Sequence, residues 1–480
     1  MKPCYLRAAV LLPSLLVLSA CAHVFPPPAL PADTAPIRYR GQAEASELGS
    51  VRVGAQRLTT GAEAGANWWQ AYGSPELDAL VAEGLQHSQT VEQARHQWLA
   101  ARHALRASQG ATDMPTVNAS FSPVRQRSLN LPVFPEPTSL ETIYTAELTA
   151  SYTFDFFGQA FQTNRALASQ VDQQAWQLQA ARQGVVANIV TGAIQLASLS
   201  DRREILRRQL EVGRQLAGWT EARRSLGAVA QDPVLSARQQ LAADEARLSA
   251  LDMQLATTRH SLALLLGRSP DQAPPPLSLS QLRLPPELPL TLPSRLLQQR
   301  PDIRGAAAAV RAAADQAGAA RAARFPSLTL SASMGRSGYN WSDLASPANL
   351  IWGMGASLTQ PIFNGGALSE RSEQAGELYR VSLAQYRQTV LSAFGNVADT
   401  LAALEDDART VALLEQQDGQ LQQLWRNSLA RYRLGAASRD SCSSAEQSWL
   451  ALRLQYSEAQ AKRLSDSAAL FNAMGAPLPE

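Results

Sequence analysis

Two proline-free stretches of nearly seventy residues, set apart by one constant offset, constrain this 480-residue chain more than any other feature. The first opens at Phe157-Gly158 and ends near Leu226-Gly227; the second opens at Phe363-Asn364-Gly365-Gly366 and ends near Leu434-Gly435. Gly158 to Gly366 is 208 positions, Gly227 to Gly435 is again 208, and Ala237 to Ala445 keeps the same offset. One such match is coincidence. An offset preserved through both ends of a segment marks an internal duplication.

Within the first stretch Gly184, Gly192, Gly213 and Gly218 stand isolated. Ile189, Leu196, Leu199, Leu206 and Leu210 recur at helical spacing, which predicts a helix over 159–225 with one apolar face. The second stretch predicts another over 367–434. A helix of that length extends roughly 100 Å, too long for an ordinary globular domain. A lone helix also needs lateral partners, so coiled-coil contacts are implied. Segments 75–109 and 234–266 together match the first long helix in length; 293–324, interrupted at Pro301, and 441–474 together match the second. Short rods stacked end to end are thus expected to cover each long one.

Four further segments alternate apolar and polar residues with a period of two, the pattern of a strand with one wet face. They lie at about 117–126, 143–155, 327–337 and 351–361, the first weakened by Pro123. Tyr144, Ala146, Leu148, Ala150, Tyr152 and Phe154 alternate with Thr145, Glu147, Thr149, Ser151, Thr153 and Asp155. Such a face packs on a soluble core or meets lipid around an aqueous lumen. Four strands cannot close a barrel of useful bore, and open edges cannot sit in hydrocarbon. Three chains of four strands each would close a twelve-stranded barrel. Linkers 127–142 and 338–350, which hold Pro, Asn, Ser and Gly between them, are then expected to be extracellular loops.

At the amino end, a short basic start runs into the apolar stretch 8–18 and then Leu18-Ser19-Ala20-Cys21, which resembles a bacterial lipobox with Cys21 as the lipidated residue. The alternative is an ordinary secretory leader with a chance cysteine. Ala22, rather than aspartate, favours the outer membrane by resemblance to lipoprotein sorting. Cleavage there would leave Cys442 as the one ordinary thiol of Cys4, Cys21 and Cys442. A lone thiol closes no internal disulfide. The formal charge of +2 and aromatic content of 6% offer no footprint for nucleic acid. No metal-ligand cluster, Walker-type loop or nucleophile-base motif is present, so no cofactor and no catalytic residue are expected. His96 and His103 share a helical face without completing a ligand set.

Several further motifs carry a resemblance. They are Trp68-Trp69-Gln70-Ala71-Tyr72-Gly73-Ser74-Pro75-Glu76-Leu77, Phe154-Asp155-Phe156-Phe157-Gly158, Leu292-Pro293-Ser294-Arg295-Leu296-Leu297, Arg300-Pro301-Asp302-Ile303-Arg304 and Ala323-Arg324-Phe325-Pro326-Ser327-Leu328. Pro361-Ile362-Phe363-Asn364-Gly365-Gly366 and Tyr432-Arg433-Leu434-Gly435 complete the series. In this order, from about residue 60 to 475, the chain resembles the outer-membrane factor family, especially its lipoprotein members of RND-type efflux and nodulation-type export. The resemblance implies a mainly α fold with membrane β: a trimeric 12-stranded β-barrel, four strands per chain, continued by a long periplasmic α-helical coiled-coil tunnel with an equatorial girdle. It implies a division into a lipoprotein signal peptide (1–20), a lipidated amino-terminal segment with equatorial residues (21–74), a first repeat (75–274), a connector (275–300), a second repeat (301–475) and a tail (476–480).

By the same resemblance, Gly158 and Gly366 mark barrel-to-helix junctions, and Gly227 and Gly435 mark tip turns that meet a periplasmic adaptor. The expected partners are two further copies, that adaptor (a membrane fusion protein), an inner-membrane pump of RND type and outer-membrane lipid. The implied activity is passive conduction, the exit duct of a tripartite efflux pump. A type I protein-secretion outlet and a non-conducting lipid-anchored scaffold are the alternatives.

The family's acidic aperture residues fall at positions matching Ser441 and Ser444, where this chain departs from the pattern. Asp440 then has two readings: an inward replacement for the acidic ring, paired with Arg439 or Arg433, or a plain helix start capped by Asp440 or Ser441. At the first tip, Asp232 suits a cap and Pro233 an early helical position. Arg300, Asp302 and Arg304 suggest a structural ion-pair cluster, and Trp68-Trp69 suggests collar packing.

Overall fold

Ala-, Gln-, Leu- and Arg-rich sequence without proline propagates helix, and both long stretches are helical throughout. The computed structural model describes residues 38–40, 47–48, 54–129 and 138–478. Its helices are α1 (Pro75–His87), α2 (Gln89–Asp113), α3 (Gln159–Ser225), α4 (Gln231–Leu265), α5 (Pro293–Gln299), α6 (Pro301–Ala322), α7 (Ala367–Arg433) and α8 (Arg439–Ala473). The long helices α3 and α7 have 67 residues each and the return helices α4 and α8 have 35 each. All four start and stop at the 208-residue offset, so the duplication extends to the helix boundaries.

The same motif ends all four. At the end of α3 the amide of Ala228 donates to the Arg223 carbonyl and that of Gly227 to Arg224, while Ala436 and Gly435 repeat the pair at the end of α7. This double bond requires a left-handed residue, and Gly227 (φ 70°) and Gly435 (φ 73°) supply it. Arg268 and Gly267 close α4 likewise, as Ala476 and Gly475 close α8.

Strands β1 (Glu47–Leu48), β2 (Gln56–Thr60) and β5 (Glu287–Leu290) form a small sheet in the order β1-β2-β5. Strands β3 (Thr116–Leu129), β4 (Thr138–Phe154), β6 (Ser327–Gly338) and β7 (Leu350–Thr359) form an antiparallel sheet in sequence order. Pro123 lies inside β3, which is an edge strand of the sheet within one chain, the position where proline is tolerated in a strand. The first expected linker, 127–142, is shortened at both ends, since residues up to Leu129 and from Thr138 pair in the hairpin.

The described residues fall into two compact units, one holding 97–174 and 306–386 and the other holding the rest. In the first unit α3 is flanked by α2, through Ser108 and Asn164 (2.6 Å), and by α6, through Arg165 and the buried Asp315 (3.5 Å). In the second, Leu199 and Leu206 of α3 cluster with Leu251 of α4, and Leu248, Leu255 and Leu454 pack around them. Each fully buried leucine there contributes about 1.5–3 kcal/mol. Helix α8 lies against both long helices, through Arg208–Glu446 (2.8 Å) on α3 and the Trp425–Trp449 ring stack (4.9 Å) on α7.

The segment expected as one rod over 75–109 is two helices, broken at Ser88. The end of α4 docks at that break. Gly267 (φ +74°) lies so near the His87 carbonyl that a β-carbon would sit 2.3 Å from its oxygen, and Arg268 forks onto Glu83 at 2.5 and 2.6 Å. The second repeat copies this joint: α5 and α6 part at Arg300, and Gly475 packs against that residue. The ends of α4 and α8 therefore meet breaks inside the expected rods rather than the ends of those rods. The described ion pairs of α6, however, run to α3, from Arg311 to Asp172 and from Asp315 to Arg165, rather than to α7.

The collar residues are buried as packing. Trp68 stacks on Phe471 at 5.1 Å, and the Tyr72 hydroxyl donates to the Leu464 carbonyl at 2.8 Å. Arg300 pairs with Asp302 (2.6 Å) and donates to the Ala473 carbonyl, whereas Arg304 leaves the expected cluster and lies over the Trp176 ring at 4.9 Å.

Candidate functional site

The four-stranded sheet sorts its side chains into two faces, and the register shows how. Ala119, Leu148, Met334 and Trp352 form one continuous row across it, and Val117, Ala150, Ala332 and Met354 form the next. One position along, Asn118, Thr149, Ser333 and Gly353 make a row on the opposite face, followed by Thr116, Ser151, Ser331 and Gly355. Over these rows one face is apolar across all four strands and the other is hydroxyl, amide and glycine. The apolar face is uncovered: Trp352 is 72% exposed and Met354 82%. The outer edges of β3 and β7 have no strand partner within the described sheet.

Strands β4 and β7 each pass at the foot into a long helix. Gly158 (φ 77°) stands between β4 and α3, where the Asp155 carboxylate accepts from the Phe161 amide at 2.7 Å. Gly365 and Gly366 (φ 63° and 84°) stand between β7 and α7. Around the first junction Phe157 stacks on Phe325 (4.9 Å) and Phe154 on Phe156 (5.7 Å).

At their other ends the long helices turn back at Gly227 and Gly435, and the two turns are tied together. Arg223 of α3 bonds Asp440 of α8 at 2.6 Å, and Arg439 of α8 lies over the Trp219 ring at 5.6 Å and reaches Gln215. The expected partners of Asp440, Arg439 and Arg433, are thus replaced by an arginine 217 positions away. The cap of α8 is neither Asp440 nor Ser441 but Ser438, whose hydroxyl accepts from the Ser441 amide at 3.2 Å. At the first turn Ala230 is the cap position, and Asp232 and Pro233 lie inside the first turn of α4. Ser441 and Ser444 are exposed three positions apart on one helix face, Cys442 is buried beside them, and Arg433 is exposed. Cys21 lies outside the described residues.

Sequence reasoning missed Arg223, Trp219 and the leucines before each turn glycine. Leu226 and Leu434 are both 83% exposed and stand at the 208-residue offset, a signal that was available.

Further along α8, Lys462 bridges Asp407 of α7 and Asp466 of its own helix. Burial pushes the Asp407 carboxyl up to about 6, the Asp466 carboxylate adds to the effect, and the Lys462 ammonium offsets only part of it. A carboxyl raised in the folded state contributes stability fully present below its unfolded value of 3.8, and that stability is lost as pH rises through about 6. Melting temperature should therefore fall between about pH 4 and 6 in the parent. Asp407→Asn should flatten that slope, and an unchanged slope in the variant would dismiss Asp407 as its source.

Residues 80–268 and 292–476 match the outer membrane efflux protein family. The pyoverdine export outer membrane protein OpmQ of Pseudomonas aeruginosa is 28% identical over 418 residues, covering 85% of this chain and 86% of that protein. The toluene efflux pump outer membrane protein TtgF of Pseudomonas putida is 26% identical over 485 residues, covering 99% and 97%. Among solved structures, the CmeC outer membrane channel of Campylobacter jejuni superposes with a TM-score of 0.81 at 20% identity, covering 92% of this chain and 95% of that one.

Proposed function

The chain belongs to the outer membrane efflux protein family, and from that premise we propose that it works as a homotrimeric exit duct, conducting small molecules passively out of a tripartite pump. Members of this family are channels and not enzymes, so the chemistry to explain is conduction. The observation that carries the reading is the sheet with one uncovered apolar face, one polar face and two unpaired edges. A sheet with open edges cannot sit in lipid, because each unpaired backbone group costs several kcal/mol there. Three copies pairing edge to edge leave none and make a twelve-stranded barrel with hydroxyls inside. Trp341, edge-on to Phe121 and Tyr144, suits the aromatic belt at the outer rim.

Long helices from three copies would continue this barrel as a periplasmic tunnel. Helix α7 supports that arrangement, since Leu391 and Leu413 are left more than half exposed along it, as a further helix would require. Residues 75–274 and 301–475 are assigned to the two repeats, 275–300 to the connector and Cys21 to the lipid anchor. Gly227 and Gly435, with Leu226 and Leu434 beside them, are assigned to the tip that meets the adaptor, and Arg223, Arg439 and Asp440 to the strap that holds it closed. An inner-membrane pump, of RND type by family, supplies the energy. The names of the pyoverdine and toluene relatives favour small-molecule cargo over secreted protein.

Purified from the outer membrane, the protein should migrate as a heat-modifiable trimer and give stepwise current in a planar lipid bilayer. A lipid-anchored protein that carries no current would replace the duct with a scaffold.

A further inference from the structure

We propose that Ile362 and Phe363 of one copy insert into the cleft at the foot of strands β3 and β4 in the next copy. This locks the ring at the level where strand becomes helix, and it rests on the trimeric reading above. Ile362 and Phe363 are 89% and 91% exposed, more than any other large apolar side chain among the described residues. They follow the last residue of β7, Thr359, on a short irregular segment before α7. Nothing within the described chain covers them.

The cleft has a volume of about 420 Å³ and is walled by Tyr152, Phe154, Phe156, Phe157 and Phe325, with Met114 among its lining residues. Met114 immediately precedes the β3 edge and is itself 65% exposed. Polar groups (Thr116, Ser151, Asp155) line it too, but its aromatic walls suit an apolar occupant.

Strand direction and register bring knob and cleft together. Neighbours in the sheet are antiparallel, so β7 runs toward the helices and β3 away from them. Pairing β7 of one copy with β3 of the next keeps the alternation and sets both feet side by side, about 5 Å apart. The register then fixes the height. Thr116, first in β3, lies level with Ser151, Ser331 and Gly355, and Gly355 is four positions before the end of β7. The strand feet move toward the helices by three positions from β3 to β4 and by one from β4 to β6, and Ser327 of β6 ends level with Thr359 of β7. Closing a sheet into a barrel imposes a fixed net stagger, and the advance of four positions across one copy runs in a single direction. Continued one more step, it places the next copy's Thr116 beyond Thr359, beside Ile362 and Phe363. Met114, two residues before Thr116, then faces Phe363 across the seam.

The test is a cross-link. In a Cys442→Ser background, the pair Met114→Cys and Phe363→Cys should give covalent dimers and trimers on a denaturing gel after mild oxidation, and neither single variant should. Independently, Phe363→Asp should lower the temperature at which trimers dissociate. A conducting trimer that forms no cross-link through this pair, and whose Phe363→Asp form dissociates at the parental temperature, overturns the inference while leaving the duct intact. A monomer without current overturns the duct and this contact with it.

Discussion

Leu148→Arg should abolish the membrane-inserted trimer, while Thr149→Arg, one residue further on, should leave it intact and change its conductance. Leu148 belongs to the apolar row with Ala119, Met334 and Trp352, and Thr149 to the polar row with Asn118, Ser333 and Gly353. An arginine on the lipid face of a barrel costs about 2–4 kcal/mol near the bilayer midplane. Three symmetry-related copies raise that to roughly 6–12 kcal/mol per ring. This is comparable with the whole net stability of an ordinary folded domain, about 5–15 kcal/mol, so assembly should fail rather than weaken. At position 149 the same guanidinium would meet water in the lumen, where three positive charges repel cations and reduce their current.

The readout is the fraction of heat-modifiable trimer in the outer-membrane pellet, followed by bilayer current for whatever assembles. If Leu148→Arg inserts as well as the parent while Thr149→Arg does not, the two faces have been assigned the wrong way round. If both insert equally, the sheet does not meet lipid at all.

How far the fold was legible depends on whether its cause is local. The ends of α3, α4, α7 and α8 rest on glycines that the backbone needs in the left-handed region, and a glycine at Gly227 or Gly435 shows in the chain itself. The two faces of the sheet were equally visible, because a strand's period of two is written directly in Tyr144 through Asp155. The break at Ser88 was not visible, since no proline or glycine marks it. It coincides with the place where Gly267 presses on the His87 carbonyl and Arg268 grips Glu83, residues more than 170 positions further along. The cap of α8 was misassigned because Ser438, Asp440 and Ser441 are all competent caps, and only the start of the helix separates them. The partner of Asp440 was wrong for a related reason. Arg433 and Arg439 are near in sequence, yet the turn brings α3 alongside and Arg223 takes the carboxylate.

That tie carries the second large expectation: Asp440→Ala should raise the open probability of the resting channel. The Arg223–Asp440 pair is partly solvated, with side chains 37% and 41% exposed, so its individual worth is limited. Pairs of this kind contribute about 0.2–1 kcal/mol. Its weight comes from symmetry, because a concerted opening breaks three copies together, about 0.6–3 kcal/mol. The ratio of open to closed channels should then rise roughly 3- to 150-fold. Arg439, held on Trp219 and Gln215, is a second tie between the same two turns, so Asp440→Ala with Arg439→Ala should exceed either single change. The charge-reversed pair Arg223→Asp with Asp440→Arg should restore the parental level, which a general loosening of the turn would not allow. Single-channel recording at fixed voltage, together with cellular entry of a bulky antibiotic, measures both. Open probability and leakage that stay at parental values in the Asp440→Ala, Arg439→Ala protein would show that the aperture is held elsewhere and that this strap merely positions the return helix.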